Sequence, residues 1–320
     1  MSQLTLESIR AARERIRDKI TRTPVLTNEM LDDQAGAALF FKAENLQKIG
    51  AFKARGATNA VFMLSDAQAQ RGVVAHSSGN HAAAVARAAQ LRGIPAYIVM
   101  PTNVPKAKQA SVRRFGAHVT FVEPTIAARE AGAAKIVEET GAELVHPYND
   151  LRVMAGQGTA ALELLEDVPD LDIVLCPVGG GGLLSGTAVA AKGLKPDIRV
   201  IAAEPAGADD AFRSFKSGRI VGNTKPDTIA DGLRGQLGEL TFSEIREHVD
   251  DIVTVSEEAI VLAMRALWEM LKIVVEPSAA VPYAAVIEHK LDVSRKRVGI
   301  ILTGGNLDLD ALPWARHQVP

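Results

Sequence analysis

Short apolar segments alternate with longer segments of helical periodicity along most of the chain. In the first half, four apolar segments predict strands: GVVAHSS at 72–78, PAYIVM at 95–100, HVTFV at 118–122 and ELVHPY at 143–148. The segments between them, such as HAAAVARAAQLRG and IAAREAGAAKIVEETG, predict helices. Strands that alternate with helices are typical of a parallel sheet with helices on its faces, so we expect an α/β fold.

The second half repeats this alternation after residue 150. DIVLCPV, IRVIAAEP and RVGIILTGG are uninterrupted apolar runs, as strands buried on both faces of a parallel sheet are, and a helix is predicted from Gly182. Because the strand–helix pattern resumes after this point, we expect two α/β lobes, with the chain passing from one lobe to the other near residue 150.

Composition narrows the class of protein. The net charge of -2 gives no basic excess for nucleic acid or an anionic membrane, and no uncharged apolar stretch approaches the length that spans a bilayer. The charged first residues lack the apolar core of a secretory signal, so we expect a cytoplasmic protein. The single cysteine, Cys176, lies in the run IVLCPV, and we expect a small buried apolar side chain there.

Four consecutive glycines, 179–182, follow a predicted strand and open a predicted helix. Backbone N–H groups at such a helix start, reinforced by the helix dipole, bind phosphate. No Lys-Ser/Thr pair follows, as an ATP-binding loop would require, and Leu184 and Ser185 stand where the third glycine of a dinucleotide motif would fall. We therefore expect a small phosphate-bearing ligand other than a nucleotide.

A lysine in an apolar setting adds a second clue. Lys53 lies in GAFKARGATNA, 50–60. Most lysines are solvated, but a desolvated lysine amine is a nucleophile that forms Schiff bases with carbonyl compounds. Together, a phosphate-binding loop and such a lysine point to pyridoxal phosphate.

Seven motifs, spread in order between Thr21 and Leu307, strengthen this interpretation: KIGAFKARGA, SSGNHA, AGQGT, VGGGGLLSG, EPAGADD, IADGL and LTGGN. The chain resembles the serine racemase and threonine dehydratase family of fold-type II pyridoxal phosphate enzymes. The resemblance implies a homodimer of two-lobed α/β subunits, with parallel sheets flanked by helices and the cofactor between the lobes. It assigns 1–61 and 150–320 to a large cofactor-binding domain and 62–149 to a small domain.

The resemblance also implies residues that bind the cofactor. Lys53 is the Schiff-base lysine, and after substrate displaces it the free amine is the general base for the Cα proton. Asn80 hydrogen-bonds the ring hydroxyl, and Phe52 packs beside the ring. Thr303 faces the pyridine nitrogen; a neutral hydroxyl does not keep that nitrogen protonated as a carboxylate would, which favours β-elimination over transamination. The phosphate is held by Gly179, Gly180, Gly181, Gly182 and Leu183.

Substrate residues are implied in the SSGNH loop, where Ser77, Ser78, Asn80 and His81 surround the substrate carboxylate. Ser78 corresponds to the second acid/base of serine racemases, opposite Lys53, and so leaves racemisation open. Taken alone, the Ser-Gly-Asn sequence would predict only a turn before a helix.

Arg129 corresponds to an active-site arginine of serine racemase, and Arg234 follows IADGL at the edge of the pocket. A 3-hydroxyaspartate enzyme must bind a second substrate carboxylate, which a guanidinium group suits. Glu276, in VVEPSA, corresponds to a family acid near the cofactor ring, and a structural role is equally open.

The resemblance places a divalent cation at Glu204, Asp210 and the carbonyl of Ala208. Two carboxylates and a carbonyl suit Mg²⁺, Mn²⁺ or Ca²⁺. The alternative is a solvated acidic loop.

We therefore expect a pyridoxal phosphate-dependent ammonia-lyase that eliminates water from a 3-hydroxy amino acid, with 3-hydroxyaspartate as the favoured substrate. The alternative is a serine/threonine dehydratase with serine racemase activity. A β-replacement enzyme and a non-catalytic sensor on the same fold are further alternatives, the latter disfavoured because a sensor has no need of Lys53.

Overall fold

The computed structural model describes residues 3–314 except 78, 105 and 224. Within these residues, ten strands form two sheets. The strands are β1 (Val25–Leu26), β2 (Ala38–Ala43), β3 (Val73–His76), β4 (Ala96–Pro101), β5 (His118–Val122), β6 (Glu143–Leu144), β7 (Ile173–Pro177), β8 (Arg199–Pro205), β9 (Asp251–Val255) and β10 (Arg297–Leu302).

Thirteen α-helices occur within the described ranges, joined by short 3-10 turns. In chain order the first seven are α1 (Leu6–Ile16), α2 (Glu29–Ala35), α3 (Lys53–Phe62), α4 (Asp66–Arg71), α5 (Asn80–Arg92), α6 (Lys106–Arg113) and α7 (Ile126–Thr140). The others are α8 (Leu151–Asp167), α9 (Gly182–Leu194), α10 (Asp210–Ser217), α11 (Glu239–His248), α12 (Glu257–Leu271) and α13 (Pro277–Ile287).

The large sheet has the order β1-β2-β10-β7-β8-β9, and the small sheet has the order β5-β4-β3-β6. Every pairing is parallel except that of β1 with β2. The prediction of parallel sheets flanked by helices is confirmed. None of the helices in the described part of the chain is long and apolar enough to cross a membrane.

Both faces of the large sheet are buried, as the continuous apolar runs require. On β7, Val174 and Cys176 belong to one core cluster with residues of α8 and α9, whereas Ile173 and Leu175 belong to another with residues of α12 and α13. This alternation follows from the two-residue period of a strand. Cys176 is fully buried, as predicted.

One predicted strand is shorter than expected. Of the segment 143–148, only Glu143 and Leu144 form the strand β6 beside β3; the N–H of Val145 donates one more bond to the carbonyl of Val74 at 2.9 Å, and the chain then turns. Pro147 has no N–H to donate to a neighbouring strand, which removes a ladder bond at that position. The resulting turn lies between the small sheet and α8.

Four buried charges anchor the helix that begins with Lys53. Arg55 donates to both Glu44 and Glu163 at 2.7–2.8 Å, and Lys42 donates to Glu163 at 2.8 Å. All four side chains are almost completely buried. Because two cations balance two carboxylates, the cluster ties α3 to β2 and α8 without leaving a buried charge unpaired.

The loops at the carboxyl ends of β3, β7, β8 and β10 carry most of the residues singled out from the sequence. In open parallel sheets, ligands bind beyond the carboxyl ends of the strands.

Candidate active site

Lys53 is the first residue of α3, and its amine is held inside the protein. The N–H of Phe52 donates to the carbonyl of Thr303 at 2.9 Å, which joins this helix start to the end of β10. The Lys53 Nζ donates to the carbonyl of Pro147 at 2.7 Å and lies 5.0 Å from the centre of the Phe52 ring. Burial lowers the pKa of Lys53 to about 8, so roughly a tenth of the free amine is unprotonated at pH 7, far more than for an ordinary lysine.

The glycine loop fits tightly between two other segments. A Cβ on Gly180 would lie 2.2 Å from Cδ1 of Tyr148, and one on Gly179 would lie 2.9 Å from Cα of Leu233. Gly181 has φ +87°, a conformation that L side chains rarely adopt. The loop leads into α9, whose first N–H groups have no carbonyl partner within the helix. This arrangement can cradle a phosphate.

Thr303 follows β10 and presents a buried hydroxyl. Its side chain is 3% exposed, and Oγ1 has no hydrogen-bond partner among the described residues. A buried hydroxyl without a partner is costly, so its surroundings favour a ligand atom that completes the bond.

A network of two amides and a carboxylate joins α5 to the large sheet. Nδ2 of Asn80 donates to Glu276 at 3.0 Å, while Nδ2 of Asn306 donates to Oδ1 of Asn80 at 2.9 Å and to the carbonyl of Ile49 at 2.7 Å. The N–H of Asn306 also donates to Glu276 at 3.1 Å. Burial, and then the charge of Asp231, raises the pKa of Glu276 to about 7.

Two histidines, His81 and His146, are near enough to Lys53 for its charge to affect their pKa values, after burial. His81 is buried, and its Nε2 lies 2.8 Å from the carbonyl of Val145; since a carbonyl only accepts, Nε2 carries the proton. Burial, and then the charge of Lys53, lowers the pKa of His81 well below its usual value. His146 packs edge-on against His76, with ring centres 5.7 Å apart, and against Tyr148, with ring centres 4.7 Å apart.

The loop before α5 is only partly described. Oγ of Ser77 accepts the N–H of Gly79 at 3.4 Å. Ser78, the proposed second acid/base, lies outside the described residues.

The two arginines differ in their surroundings. Arg234 is exposed, and its guanidinium donates to the carbonyl of Thr228 at 2.5 and 3.2 Å. Arg129 lies in the first turn of α7, with Nε 3.4 Å from the carbonyl of Thr125. After burial, the charge of Arg129 is among the factors that lower the pKa of His76, and it opposes the rise in the pKa of Tyr148. Glu130 acts on both groups with the opposite sign and a larger effect, so the two charges at the start of α7 oppose each other at His76 and Tyr148.

Glu204, near the end of β8, and Asp210, the first residue of α10, are both fully buried. Glu204 accepts the N–H groups of Ala211 and Phe212 at 3.0 and 2.8 Å, and Asp210 accepts from Asn223 at 3.3 Å. Oδ2 of Asp210 has no partner within the described structure. These are not the solvated carboxylates of an ordinary acidic loop. Ala208, whose carbonyl completes the predicted cation site, is buried in the short 3-10 turn between them.

Comparison with known proteins identifies the family. Residues 16–304 match the family described as pyridoxal-phosphate dependent enzyme. The chain belongs to this family. The enzyme is 54% identical over 310 residues to the beta-hydroxyaspartate dehydratase of Paracoccus denitrificans, a match that covers 97% of this chain and 98% of that protein. It is 48% identical over 299 residues to the L-threo-3-hydroxyaspartate ammonia-lyase of Saccharomyces cerevisiae, covering 93% of this chain and 92% of that protein.

A solved structure, that of maize serine racemase, superposes on the enzyme with a TM-score of 0.94 at 48% identity, covering 98% of this chain and 97% of that one. The predicted fold-type II architecture is thereby confirmed, and pyridoxal phosphate is the cofactor that the family implies.

The site residues fit this cofactor. The unpartnered hydroxyl of Thr303 suits a pyridine nitrogen, and the glycine loop suits a phosphate. Roles for Asn306, Tyr148 and His146 were not predicted from the sequence. Asn306 lies within the quoted motif LTGGN, which offered a signal, whereas the segment of Tyr148 and His146 was predicted to be a strand.

Proposed function

We propose that the enzyme is a 3-hydroxyaspartate dehydratase: it eliminates water from the amino acid, and the enamine that leaves is hydrolysed to an oxo acid and ammonia. The observation that carries the proposal is the Lys53 amine bonded to the carbonyl of Pro147, next to Tyr148, whose ring lies against the glycine loop, in a chain that closely matches two hydroxyaspartate lyases. When bound, pyridoxal phosphate would withdraw electrons from the substrate Cα and so make its proton acidic.

Lys53 would carry the cofactor at rest and take the Cα proton once substrate has displaced it. Its lowered pKa supports this role, because a general base works best when its pKa is near the working pH. Phe52 and Asn80 would hold the ring, the hydroxyl of Thr303 would meet the ring nitrogen, and the loop from Gly179 to Leu183 would hold the phosphate. Ser77, Ser78 and His81 would surround the substrate α-carboxylate.

The second carboxylate of 3-hydroxyaspartate needs a cationic partner, and we assign it to Arg129 rather than Arg234. Arg129 makes only a long bond of 3.4 Å to the carbonyl of Thr125, whereas the guanidinium of Arg234 is engaged by the carbonyl of Thr228 at 2.5 and 3.2 Å.

A substrate panel tests the reaction. We expect oxo acid and ammonia to form in equal amounts from one or more of the four stereoisomers of 3-hydroxyaspartate, with kcat/KM at least about 30-fold above that for either serine or for threonine, since binding a second carboxylate is worth several kcal/mol. A preference for serine or threonine would instead support the alternative below.

The alternative is a serine/threonine dehydratase with serine racemase activity. The high structural similarity to maize serine racemase supports this alternative. D-serine formed from L-serine, measured on a chiral column, would support this alternative. Cysteine formed from serine and sulfide would indicate β-replacement.

We also propose that Glu204, Asp210 and the carbonyl of Ala208 bind Mg²⁺, Mn²⁺ or Ca²⁺. Among the described residues no cationic side chain pairs with either buried carboxylate, which is unfavourable, and Oδ2 of Asp210 has no partner there, which suits a hard cation. The described residues include no group of three or more His, Cys, Asp or Glu side chains placed to hold a metal ion, so carbonyl and water ligands would complete the set.

Exhaustive treatment with EDTA tests the cation site. We expect the melting temperature to fall by about 3–6 °C, because a cation bound only to the folded state stabilises it, and we expect added Mg²⁺ to restore it. Asp210→Asn should remove the response, whereas Asp209→Asn, which changes a carboxylate paired with Arg213, should keep it. An unchanged melting temperature and unchanged activity after EDTA would count against the site.

Asn306 is predicted to orient Asn80. In Asn306→Ala, Asn80 loses the donor to its Oδ1, so we expect cofactor affinity, measured by fluorescence titration, to weaken about fivefold. Asn103→Ala, at an exposed position, serves as the control. Equal affinities in the two variants would show that Asn80 needs no such support.

The division into a large domain of 1–61 and 150–320 and a small domain of 62–149, with the cofactor between them, is part of the proposal. It is supported by the strands, since the small sheet uses only segments between Val73 and Leu144. The homodimer and the cytoplasmic location remain predictions; sedimentation equilibrium tests the first.

A further inference from the structure

The turn at residues 146–149, with the sequence HPYN, touches both parts of the site. It lies between β6 and α8. The carbonyl of Pro147 accepts from Nζ of Lys53 at 2.7 Å, and the ring of Tyr148 lies against the glycine loop, where a Cβ on Gly180 would come within 2.2 Å. Any movement of this turn would therefore change the contacts of the Lys53 amine and of the glycine loop.

The turn is held by a side chain of its own first residue. Nδ1 of His146 accepts the N–H of Tyr148 at 3.3 Å and that of Asn149 at 2.9 Å. Asparagine and aspartate commonly organise a turn in this way, by bonding a backbone N–H two residues on. Here an imidazole does so, and Nδ1 must be unprotonated to accept.

The surroundings of His146 keep it in that form. Burial, followed by the neighbouring His76 and Lys53, lowers the pKa of His146 to about 4. The ring is therefore neutral in the range where the enzyme would work, and its proton lies on Nε2.

We propose that His146 is a positioning residue: by bonding the N–H groups of Tyr148 and Asn149 it fixes the Pro147 carbonyl, which holds Nζ of Lys53 whenever that amine is released from the cofactor. This inference rests on the role proposed above for Lys53. A carbonyl that accepts one N–H of the amine leaves the nitrogen lone pair for the Cα proton, and it accepts equally from the ammonium that results. The same contact thus serves both protonation states of the base.

Ring packing is the competing explanation, because His146 also packs against His76 and Tyr148. Three substitutions separate the two roles. His146→Phe keeps an aromatic ring and removes the acceptor, His146→Asn keeps an acceptor at the turn and removes the ring, and His146→Ala removes both.

The released state of Lys53 can be measured directly on the holoenzyme. A 2-methyl amino acid has no Cα proton, so it displaces Lys53 from the cofactor and the reaction stops there; the change in visible absorbance gives the dissociation constant. We would titrate with 2-methylaspartate, or with 2-methylserine if the wild-type enzyme does not bind the former. We expect the dissociation constant to rise about tenfold in the Phe and Ala variants and to stay within about twofold in the Asn variant.

Dehydration should follow the same order, with kcat/KM at least about tenfold lower for Phe and Ala and rescued in Asn, because a misplaced catalytic group reacts slowly. His118→Phe, at an exposed histidine stacked on Tyr97, is the matched control and should behave as wild type. A Phe variant equal to wild type, or an Asn variant as weak as Ala, would overturn the proposal. If the Phe variant does not fold, the comparison of Asn with Ala decides.

Failure of the proposed function gives a different result. The wild-type enzyme could bind the 2-methyl amino acid, with Lys53 displaced, and yet not dehydrate 3-hydroxyaspartate. That result would refute the proposed substrate, and the titration of the variants would still test the role of His146.

Discussion

Lys53→Ala should lower kcat/KM for 3-hydroxyaspartate by at least about 10⁴-fold, since one side chain both carries the cofactor and moves the Cα proton. The structure gives the reason: Nζ of Lys53 is the amine held between the Phe52 ring and the Pro147 carbonyl. The rate would be measured from the oxo acid formed in samples quenched at fixed times, with ammonia measured in parallel.

Two further measurements make this test specific. Borohydride reduction of the wild-type holoenzyme, followed by peptide mapping, should place the cofactor on Lys53, and the Ala variant should give no labelled peptide. Lys48→Ala, an exposed lysine in the preceding turn, is the control and should retain activity. Turnover by Lys53→Ala within tenfold of wild type would contradict the assignment of the base.

Arg129→Gln should reduce kcat/KM for 3-hydroxyaspartate by about 100-fold and that for serine by less than about threefold. Only 3-hydroxyaspartate has the second carboxylate, and losing its charged partner costs several kcal/mol. For Arg129→Lys we expect a kcat/KM for 3-hydroxyaspartate between those of the wild type and Arg129→Gln, because an ammonium keeps the charge but not the planar pair of donors. Both substrates would be assayed at several concentrations, so that the loss is assigned to KM or to kcat.

Arg234→Gln is the paired variant. Its guanidinium already donates to the carbonyl of Thr228, so we expect a change of less than about threefold with either substrate. The reverse outcome, a selective loss at Arg234 and none at Arg129, would transfer the recognition of the second carboxylate to the loop after Leu233. Equal losses on serine and 3-hydroxyaspartate would mean that neither arginine is selective.

Local patterns were sufficient for several parts of the structure. The strands ending at Met100 or Pro101 and at Val122, the buried runs around Cys176, and the start of α9 at Gly182 follow from hydrophobic periodicity and from glycine. The strand predicted at 143–148 was wrong beyond Leu144. The apolar run favours a strand, whereas Pro147 disfavours one, and the bonds from the N–H groups of Tyr148 and Asn149 to His146 stabilise a turn instead.

The sequence by itself determined which kind of chemistry is present: four glycines at a helix start, one lysine among small apolar residues, and a threonine at the end of a buried strand. Only the tertiary structure decided how they meet. The N–H of Phe52 reaches the carbonyl of Thr303, Asn306 reaches Asn80 across 226 residues, and Lys53 reaches Pro147 across 94. Contacts of such separation depend on the order of strands in two sheets, and the same packing excludes the water that would otherwise hold the Lys53 amine near its ordinary pKa.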